Sequence, residues 1–311
     1  MTHPPPPPQA GLPTYRHPGQ AFLNTDIPAD PAAAVIAYSQ FLRQAAGLTD
    51  TPPIALGPIY QHFGIPEPRR VPLTDQQGIL VSGDRGLILI KEDDPWVRQR
   101  FTEGHELMEL LFDSAGFQAR TVQRPHFQGS QGGAIDPDWK ERLCDQGAAH
   151  LLMPLGSFLP QLQGRGSSLA TAQILAKHYQ TSLLATLIHM VHHSSQPQAL
   201  ILWYPAHSHR DRHKTTTTGH LPPAKIRIRW QVTSPHWQGG FIPRNKSLAA
   251  VAPRSIVAHS HRDRQPAQGT ALFHFGSQPC PCAVETLPLQ IQGKNGVISL
   301  LTQANRRNVK T

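Results

Sequence analysis

The segment that decides the fold is Arg100-Phe101-Thr102-Glu103-Gly104-His105-Glu106-Leu107-Met108-Glu109. Apolar residues recur along it and continue to Phe112, and Gly104 is the only helix-weakening residue, so the pattern is typical of an amphipathic helix. Residues four apart share one face of a helix, so His105 and Glu109 point the same way and Glu106 lies beside them. The segment therefore predicts one imidazole and two carboxylates at a single helix surface.

This spacing is that of the His-Glu-x-x-His zinc helix, except that Glu109 stands where the motif has its second histidine. Zinc accepts carboxylate oxygen as well as imidazole nitrogen, so His105 and Glu109 are candidate metal ligands. Glu106 is then the candidate general base that activates the attacking water. Zinc is the expected ion, and manganese is the alternative because a carboxylate ligand makes the site harder. The competing interpretation is a surface helix with scattered charges.

A second helix is predicted from the capping pair Asp136-Pro137 up to Pro154. Glu141 and Asp145 are four apart on it and share a face. Glu141 is the candidate third ligand, and Asp145 is the candidate acceptor for the far nitrogen of His105, which would fix the tautomer of the ring. The alternative is that both acids only favour the helix dipole. His150 falls on the other face of the helix and is not expected to be a ligand.

Two motifs carry a resemblance to a known family. Phe101-Thr102 precedes the histidine, and the second helix reads Glu141-x-x-Cys144-Asp145-x-Gly147-Ala148-x-x-Leu151-Leu152-Met153-Pro154. The chain resembles the ImmA/IrrE metallo-endopeptidases over residues 30–195, because these have a Phe-Thr lead-in and a Glu-x-x-Ala-Asn-x-Phe-Ala-x-x-Leu-Leu-Met-Pro helix. It departs from their pattern at Glu109 for His, Cys144 for Ala, Asp145 for Asn and Gly147 for Phe.

The resemblance implies a zincin-like metallopeptidase domain and a zinc endopeptidase whose protein substrate is an XRE-type helix-turn-helix repressor. Cleavage in that family relieves repression, so transcription regulation and stress response are the implied roles. The alternative, to which Glu109 points, is a catalytically degenerate regulator. Such a regulator would bind DNA or a protein partner through the C-terminal half of the chain.

The chain of 311 residues is long enough for two domains. Its three cysteines, Cys144, Cys280 and Cys282, form no disulfide framework, which fits a reducing compartment. Neither an apolar run long enough for a bilayer nor an apolar leader is visible, so a cytoplasmic location and no membrane partner are expected.

Charge differs strongly between the two halves. Residues 1–165 carry 13 Lys and Arg against 17 Asp and Glu, a net −4, whereas residues 166–311 carry 16 against 3, a net +13. Such asymmetry favours a nucleic-acid partner, and a basic solvated domain is the alternative. The candidate contact residues are Arg227, Arg229, Arg210 and Arg262.

The predicted fold class is α+β, with a zincin-like metallopeptidase domain, a helical extension and a β-rich α+β C-terminal domain. The predicted divisions are a disordered Pro-rich tail (1–25), the metallopeptidase-like domain (26–165), a helical connector (166–195), a basic regulatory or sensor-like domain (196–303) and a tail (304–311). Within the connector, residues 168–193 predict two helices joined by a turn. Packing is favoured over DNA reading for this pair, because Lys177 is its only Lys or Arg.

A hairpin is predicted from residues 78–82 and 87–91, and one of its strands is expected to bind substrate backbone by strand addition. The Gly- and Gln-rich segment 118–135 predicts a mobile loop near the site. Candidate strands in the last third are 199–204, 225–232, 255–258, 271–275 and 297–301.

An identical heptapeptide occurs twice, as Ala206-His-Ser-His-Arg-Asp-Arg212 and Ala258-His-Ser-His-Arg-Asp-Arg264, each after a predicted strand. Paired histidines and arginines of this kind bind metal or phosphate, but two similar solvent loops are the favoured interpretation. Cys280-Pro281-Cys282 is only a weak signal for a metal site, since no second cysteine pair lies near it in sequence.

Overall fold

The computed structural model describes residues 14–117, 136–209, 211, 213, 221–276, 279–291 and 293–304. The chain divides into two compact units. The N-terminal unit comprises the residues up to Pro160 together with Lys177–Ser182, and the C-terminal unit comprises Gln161–Ala176 and the residues from Leu183 onward. Each unit combines helices with a sheet, so the predicted α+β class is confirmed. The predicted connector, 166–195, is divided between the two units.

Helices make up most of the N-terminal unit. They are α1 (Pro18–Leu23), α2 (Pro31–Ala45), α3 (Gly57–Phe63), α4 (Trp96–Asp113) and α5 (Pro137–Leu152). Helices α6 (Leu155–Arg165) and α7 (Leu169–Tyr179) follow, and each has residues in both units. Asp30 and Asp136 cap α2 and α5 by accepting hydrogen bonds from backbone N–H groups in the first turn, and the cap at Asp136 confirms the prediction.

A three-stranded sheet accompanies these helices. It contains β1 (Arg69–Val71), β2 (Gly78–Ser82) and β3 (Leu87–Lys91) in the order β1-β3-β2. Strands β2 and β3 form the predicted antiparallel hairpin, whereas β1, which pairs in parallel with β3, was not predicted. Strand β2 therefore lies at an edge of the sheet.

The core of the N-terminal unit lies between α1, α2, α4 and α5. Its fully buried side chains include Val35, Tyr38 and Leu42 of α2 and Leu107 and Leu111 of α4. The disordered tail predicted for residues 1–25 is wrong at its end. Helix α1 occupies Pro18–Leu23 and buries Phe22 and Leu23 in this core.

The start of α4 differs from what its sequence suggests. The pair Asp94-Pro95 is typical of an N-cap followed by the first helical residue, but Pro95 holds the cap position and makes no side-chain cap hydrogen bond. Asp94 instead forms an ion pair with Arg98, with Oδ1 and the guanidinium 3.2 Å apart. The predicted mobile loop at 118–135 lies outside the described residues, as do residues 305–311 of the predicted C-terminal tail.

The C-terminal unit is built around a five-stranded antiparallel sheet. Its strands are β4 (Gln198–Ala206), β5 (Lys225–Thr233), β6 (Ala267–Phe273), β7 (Cys280–Ile291) and β8 (Lys294–Gln303), in the order β5-β4-β8-β7-β6. Helices α8 (Leu183–His192), α9 (Leu248–Val251) and α10 (Ile256–Asp263) belong to this unit. Its core centres on Trp203, Phe273 and Val297. No helix in the described ranges is both long enough and apolar enough to span a membrane.

The structure of this unit differs from the predictions in three places. Ser255–Ala258 was expected to be a strand, but Ser255 precedes α10, so the second copy of the heptapeptide lies largely on a helix. Strand β7 was not predicted at all, and β6 begins before the strand expected at 271–275.

Candidate metal centre

Helices α4 and α5 carry the residues that the sequence singles out, and they pack closely because small residues face each other. A β-carbon built on Gly104 would lie 3.4 Å from the β-carbon of Ala148. A β-carbon on Gly147 would lie only 2.4 Å from Sδ of Met108 and 2.4 Å from a methyl carbon of Val35. The glycine at 147 is therefore required by its surroundings in this chain.

His105 lies among three carboxylates. Its Nε2 is 3.4 Å from Oε2 of Glu141 and 3.9 Å from Oε1 of Glu109. Its Nδ1 is 3.0 Å from Oδ1 of Asp145. When the Nδ1–H group donates a hydrogen bond to Asp145, the lone pair of Nε2 faces the other two carboxylates. The structure thus places a carboxylate oxygen of each of the other two predicted ligands beside Nε2 of His105, and it has Asp145 at the opposite ring nitrogen.

The two oxygens of Glu109 have different partners. Oε2 forms an ion pair with the ammonium of Lys140, and Oε1 faces His105. The Sγ of Cys144 lies 3.5 Å from the same Oε1. Because Lys140 engages one oxygen, the other is held towards the imidazole.

Lys140 and Cys144 were not predicted as part of the site. A signal for them existed, since they are four residues apart on α5 and their face adjoins that of Glu141 and Asp145. The negative charge of Glu109 raises the pKa of the Cys144 thiol further, beyond the increase caused by its burial.

Glu106 is buried, with 6% of its surface exposed. Burial raises the pKa of Glu106 to about 7. The charge of His105 and a hydrogen bond from the backbone of Leu80 oppose this shift, while the charges of Glu109 and Glu141 add to it. A carboxyl group with a pKa near neutrality suits the work of a general base.

The site opens into a cavity of about 500 Å³. One wall is the edge strand β2, from Gly78 to Leu80, and α4 contributes Phe101 and Thr102. Strand and helix are close enough that a β-carbon on Gly78 would lie 2.4 Å from Cγ2 of Thr102 and 2.6 Å from Oε1 of Glu106. Glycine is therefore needed at 78 for this approach.

The protonation of His105 depends on its acidic neighbours. Burial lowers the pKa of His105, but the hydrogen bond and charge of Asp145, with the charges of Glu106 and Glu141, raise it above the ordinary value overall. Protons therefore compete with a metal ion for the imidazole at mildly acidic pH.

The donor set fits a divalent metal ion. One imidazole nitrogen faces two carboxylate oxygens, and His105, Glu109 and Cys144 offer donor atoms that all lie within 4.8 Å of one another. Nitrogen, oxygen and sulfur donors of this kind are the ligands that zinc takes in proteins.

The arginines predicted to contact nucleic acid differ in their exposure and in their partners. Arg227 is 8% exposed and donates hydrogen bonds to the carbonyls of Ala206 and Asn245 and to the carboxylate of Asp211, so its prediction as a contact residue is wrong. Arg229 is exposed. Arg262 is exposed and pairs with the adjacent Asp263. Arg210 lies outside the described residues.

Comparison with known proteins agrees with the arrangement of the two helices. Residues 69–191 match the model of the Peptidase_M78 family, described as the IrrE N-terminal-like domain. The match spans both helical motifs and less than half of the chain, and the resemblance drawn from those motifs is confirmed. A comparison with curated protein sequences found no match.

Solved structures include a similar fold. A Mycobacterium tuberculosis transcriptional regulator aligns with a TM-score of 0.55 at 11% identity, over 86% of this chain and 87% of that one. At this identity the similarity concerns the fold alone.

Proposed function

We propose that this chain is a metal-dependent endopeptidase in which His105, Glu109 and Glu141 hold the ion and Glu106 is the general base. The observation that carries the proposal is the convergence of Glu141 and Glu109 on Nε2 of His105, at 3.4 and 3.9 Å, beside a buried carboxyl group. Zinc is the proposed ion, with manganese as the alternative.

In the proposed peptide hydrolysis, each residue of the centre has a separate role. A divalent ion at this position would act as a Lewis acid on the scissile carbonyl and on the attacking water. Glu106 would accept the proton of that water and pass it to the departing amine. Asp145 would keep the imidazole in the tautomer that ligation needs, and Lys140 would hold Glu109 in place.

Strand β2 is proposed to bind the substrate backbone. It is an edge strand and it forms a wall of the cavity that contains Glu106. Unpaired backbone groups at a sheet edge bind an extended peptide by adding it as a further strand. An extended segment bound there would present its peptide bonds to the metal centre.

The proposed substrate is a helix-turn-helix repressor of the XRE type, in the cytoplasm, and its cleavage would relieve repression. This part of the proposal rests on the family resemblance alone.

A specific contact favours a second candidate, a regulator without catalysis. The ammonium of Lys140 already neutralises part of the charge of Glu109. A site balanced in this way could persist without an ion, and the basic half of the chain, with Arg229 exposed, would then bind DNA or a protein partner.

Metal content is the first test. Protein purified without chelator, and again after reconstitution, is analysed by elemental mass spectrometry beside Glu141→Ala and the matched control Asp138→Ala on the same helix. One zinc or manganese per chain, lost or bound more weakly only in Glu141→Ala, supports the metal centre. No metal in the native chain, even after reconstitution, rejects it.

Cleavage is tested next, with an XRE-type repressor encoded beside the gene and mass spectrometry of the products. A loaded protein that cuts no such repressor would favour the regulator. Glu109→His separates the two candidates further. Activity created by this substitution would indicate a decayed site, whereas a mere change of rate would indicate that Glu109 is a working ligand.

A further inference from the structure

Cys144 lies within the metal centre but belongs to none of the proposed roles. Its side chain is fully buried at the contact of α5 with α4. Its Sγ is 3.5 Å from Oε1 of Glu109, the oxygen that faces His105. The donor atoms of these three residues all lie within 4.8 Å of one another. Two ligands bound to one tetrahedral zinc ion at about 2.0 and 2.3 Å are about 3.5 Å apart.

We propose that Cys144 is itself a metal ligand, so that His105, Glu109 and Cys144 form the fixed part of the donor set. The inference rests on the proposed metal centre, and it names a residue whose chemistry changes which ion the centre prefers.

Burial distinguishes the two ligands that α5 would supply. The Cys144 side chain has no exposed surface, whereas 63% of the Glu141 side chain is exposed. A buried ligand is held by its packing, and an exposed carboxylate swings away with little loss of contact. Glu141 is therefore the ligand that gives way when water or a substrate enters, which leaves the open position that catalytic zinc sites need.

Thiolate ligation also alters metal preference. The replacement of an imidazole by Glu109 makes the donor set harder, and a thiolate makes it softer again. Ligation breaks the S–H bond of Cys144, forms a sulfur–metal bond and releases the proton to solvent. We therefore expect zinc and cobalt to bind better than manganese.

The test uses Co²⁺ with the full chain, since a thiolate bound to Co²⁺ gives an intense charge-transfer band in the near ultraviolet. Cys280 and Cys282 are the only other cysteines, and their sulfurs are 3.6 Å apart, so they must be controlled. The background is therefore a variant with Cys280→Ala and Cys282→Ala. Cys144→Ala is added to it, because alanine is the residue of the resembled family pattern at this position.

The expected result is one Co²⁺ per chain with the charge-transfer band in the background variant, and loss of the band in Cys144→Ala. Bound Co²⁺ without the band would overturn the role of Cys144 and leave the proposed metal centre intact. No bound Co²⁺ would reject both.

A second measurement needs no substitution. X-ray absorption of the zinc-loaded native chain should show one sulfur at about 2.3 Å among nitrogen and oxygen ligands. A site with nitrogen and oxygen only would refute the inference, and two sulfurs would place the ion at Cys280 and Cys282 instead and refute it equally. Far-ultraviolet circular dichroism verifies that each variant is folded.

Discussion

Replacing Asp145 with asparagine should weaken metal binding without disturbing the fold. Asp145 accepts a hydrogen bond from Nδ1 of His105 at 3.0 Å, which keeps the proton on Nδ1 and leaves Nε2 free to bind the metal. The neutral amide of asparagine is a weaker partner for the Nδ1–H group than a carboxylate. Loss of such a partner lowers metal affinity by roughly 10–100-fold. Because 61% of the Asp145 side chain is exposed, solvent screens its charge, and we expect the low end, about tenfold or about 1.4 kcal/mol.

The effect should depend on pH in a definite direction. Asp145 helps to raise the pKa of His105, and a proton on the imidazole excludes the metal. The Asp145→Asn substitution lowers the pKa of His105, so protons compete less with the metal ion for the imidazole in the variant than in the native chain. The loss of affinity should therefore be largest near pH 8 and smaller near pH 6.

The assay is competition for zinc against a chromophoric chelator at both pH values. Asp138→Asn is the matched control, because it removes an exposed acid from the first turn of the same helix. An Asp145→Asn variant that binds zinc within twofold of the native chain at both pH values would refute this account of how the imidazole is oriented.

Three further substitutions test the site and its support. Glu106→Gln should abolish cleavage while metal stays bound. In the chelated native protein, the Glu106 carboxyl group has a pKa of about 7, so the folded state loses stability as pH rises from about 4.5 to 7. Glu106→Gln removes this loss and should increase the free energy of unfolding near pH 8 by up to about 3 kcal/mol, which urea unfolding at pH 5 and pH 8 detects. Gly78→Ala should lower kcat at least tenfold with unchanged circular dichroism, because the added carbon meets Oε1 of Glu106, whereas Gly57→Ala, with open space around it, should leave kcat unchanged. Tyr60→Phe should destabilise the N-terminal unit by about 2 kcal/mol in urea unfolding, because it removes the 2.8 Å hydrogen bond to the buried carboxylate of Glu103; a change below 0.5 kcal/mol would contradict this.

The two site helices were predictable because local rules fix them. The four-residue spacing of His105 and Glu109 sets a common face, and the Asp136-Pro137 cap sets where α5 begins. The distance between the helices was not predictable, since it depends on Gly104 and Ala148 meeting across the core. For the same reason the ion pair between Lys140 and Glu109 could not be predicted from the sequence.

The C-terminal unit was harder to predict because its local signals conflict with its tertiary structure. Pro281 and Pro288 made the β7 segment resemble a loop. In the structure each proline lies where β7 has a partner strand on one side only: Pro281 pairs with β6, and Pro288 pairs with β8. A missing N–H group is tolerated at such positions, and nothing in the sequence reveals which strand ends where.

The close approach of Gly104 to Ala148 makes the spacing of the ligands depend on how α4 and α5 cross. A larger side chain at either position would push the two helices apart and lengthen the reach from His105 to Glu141. A designer who transfers this centre to another scaffold should therefore copy both small residues together with the ligands.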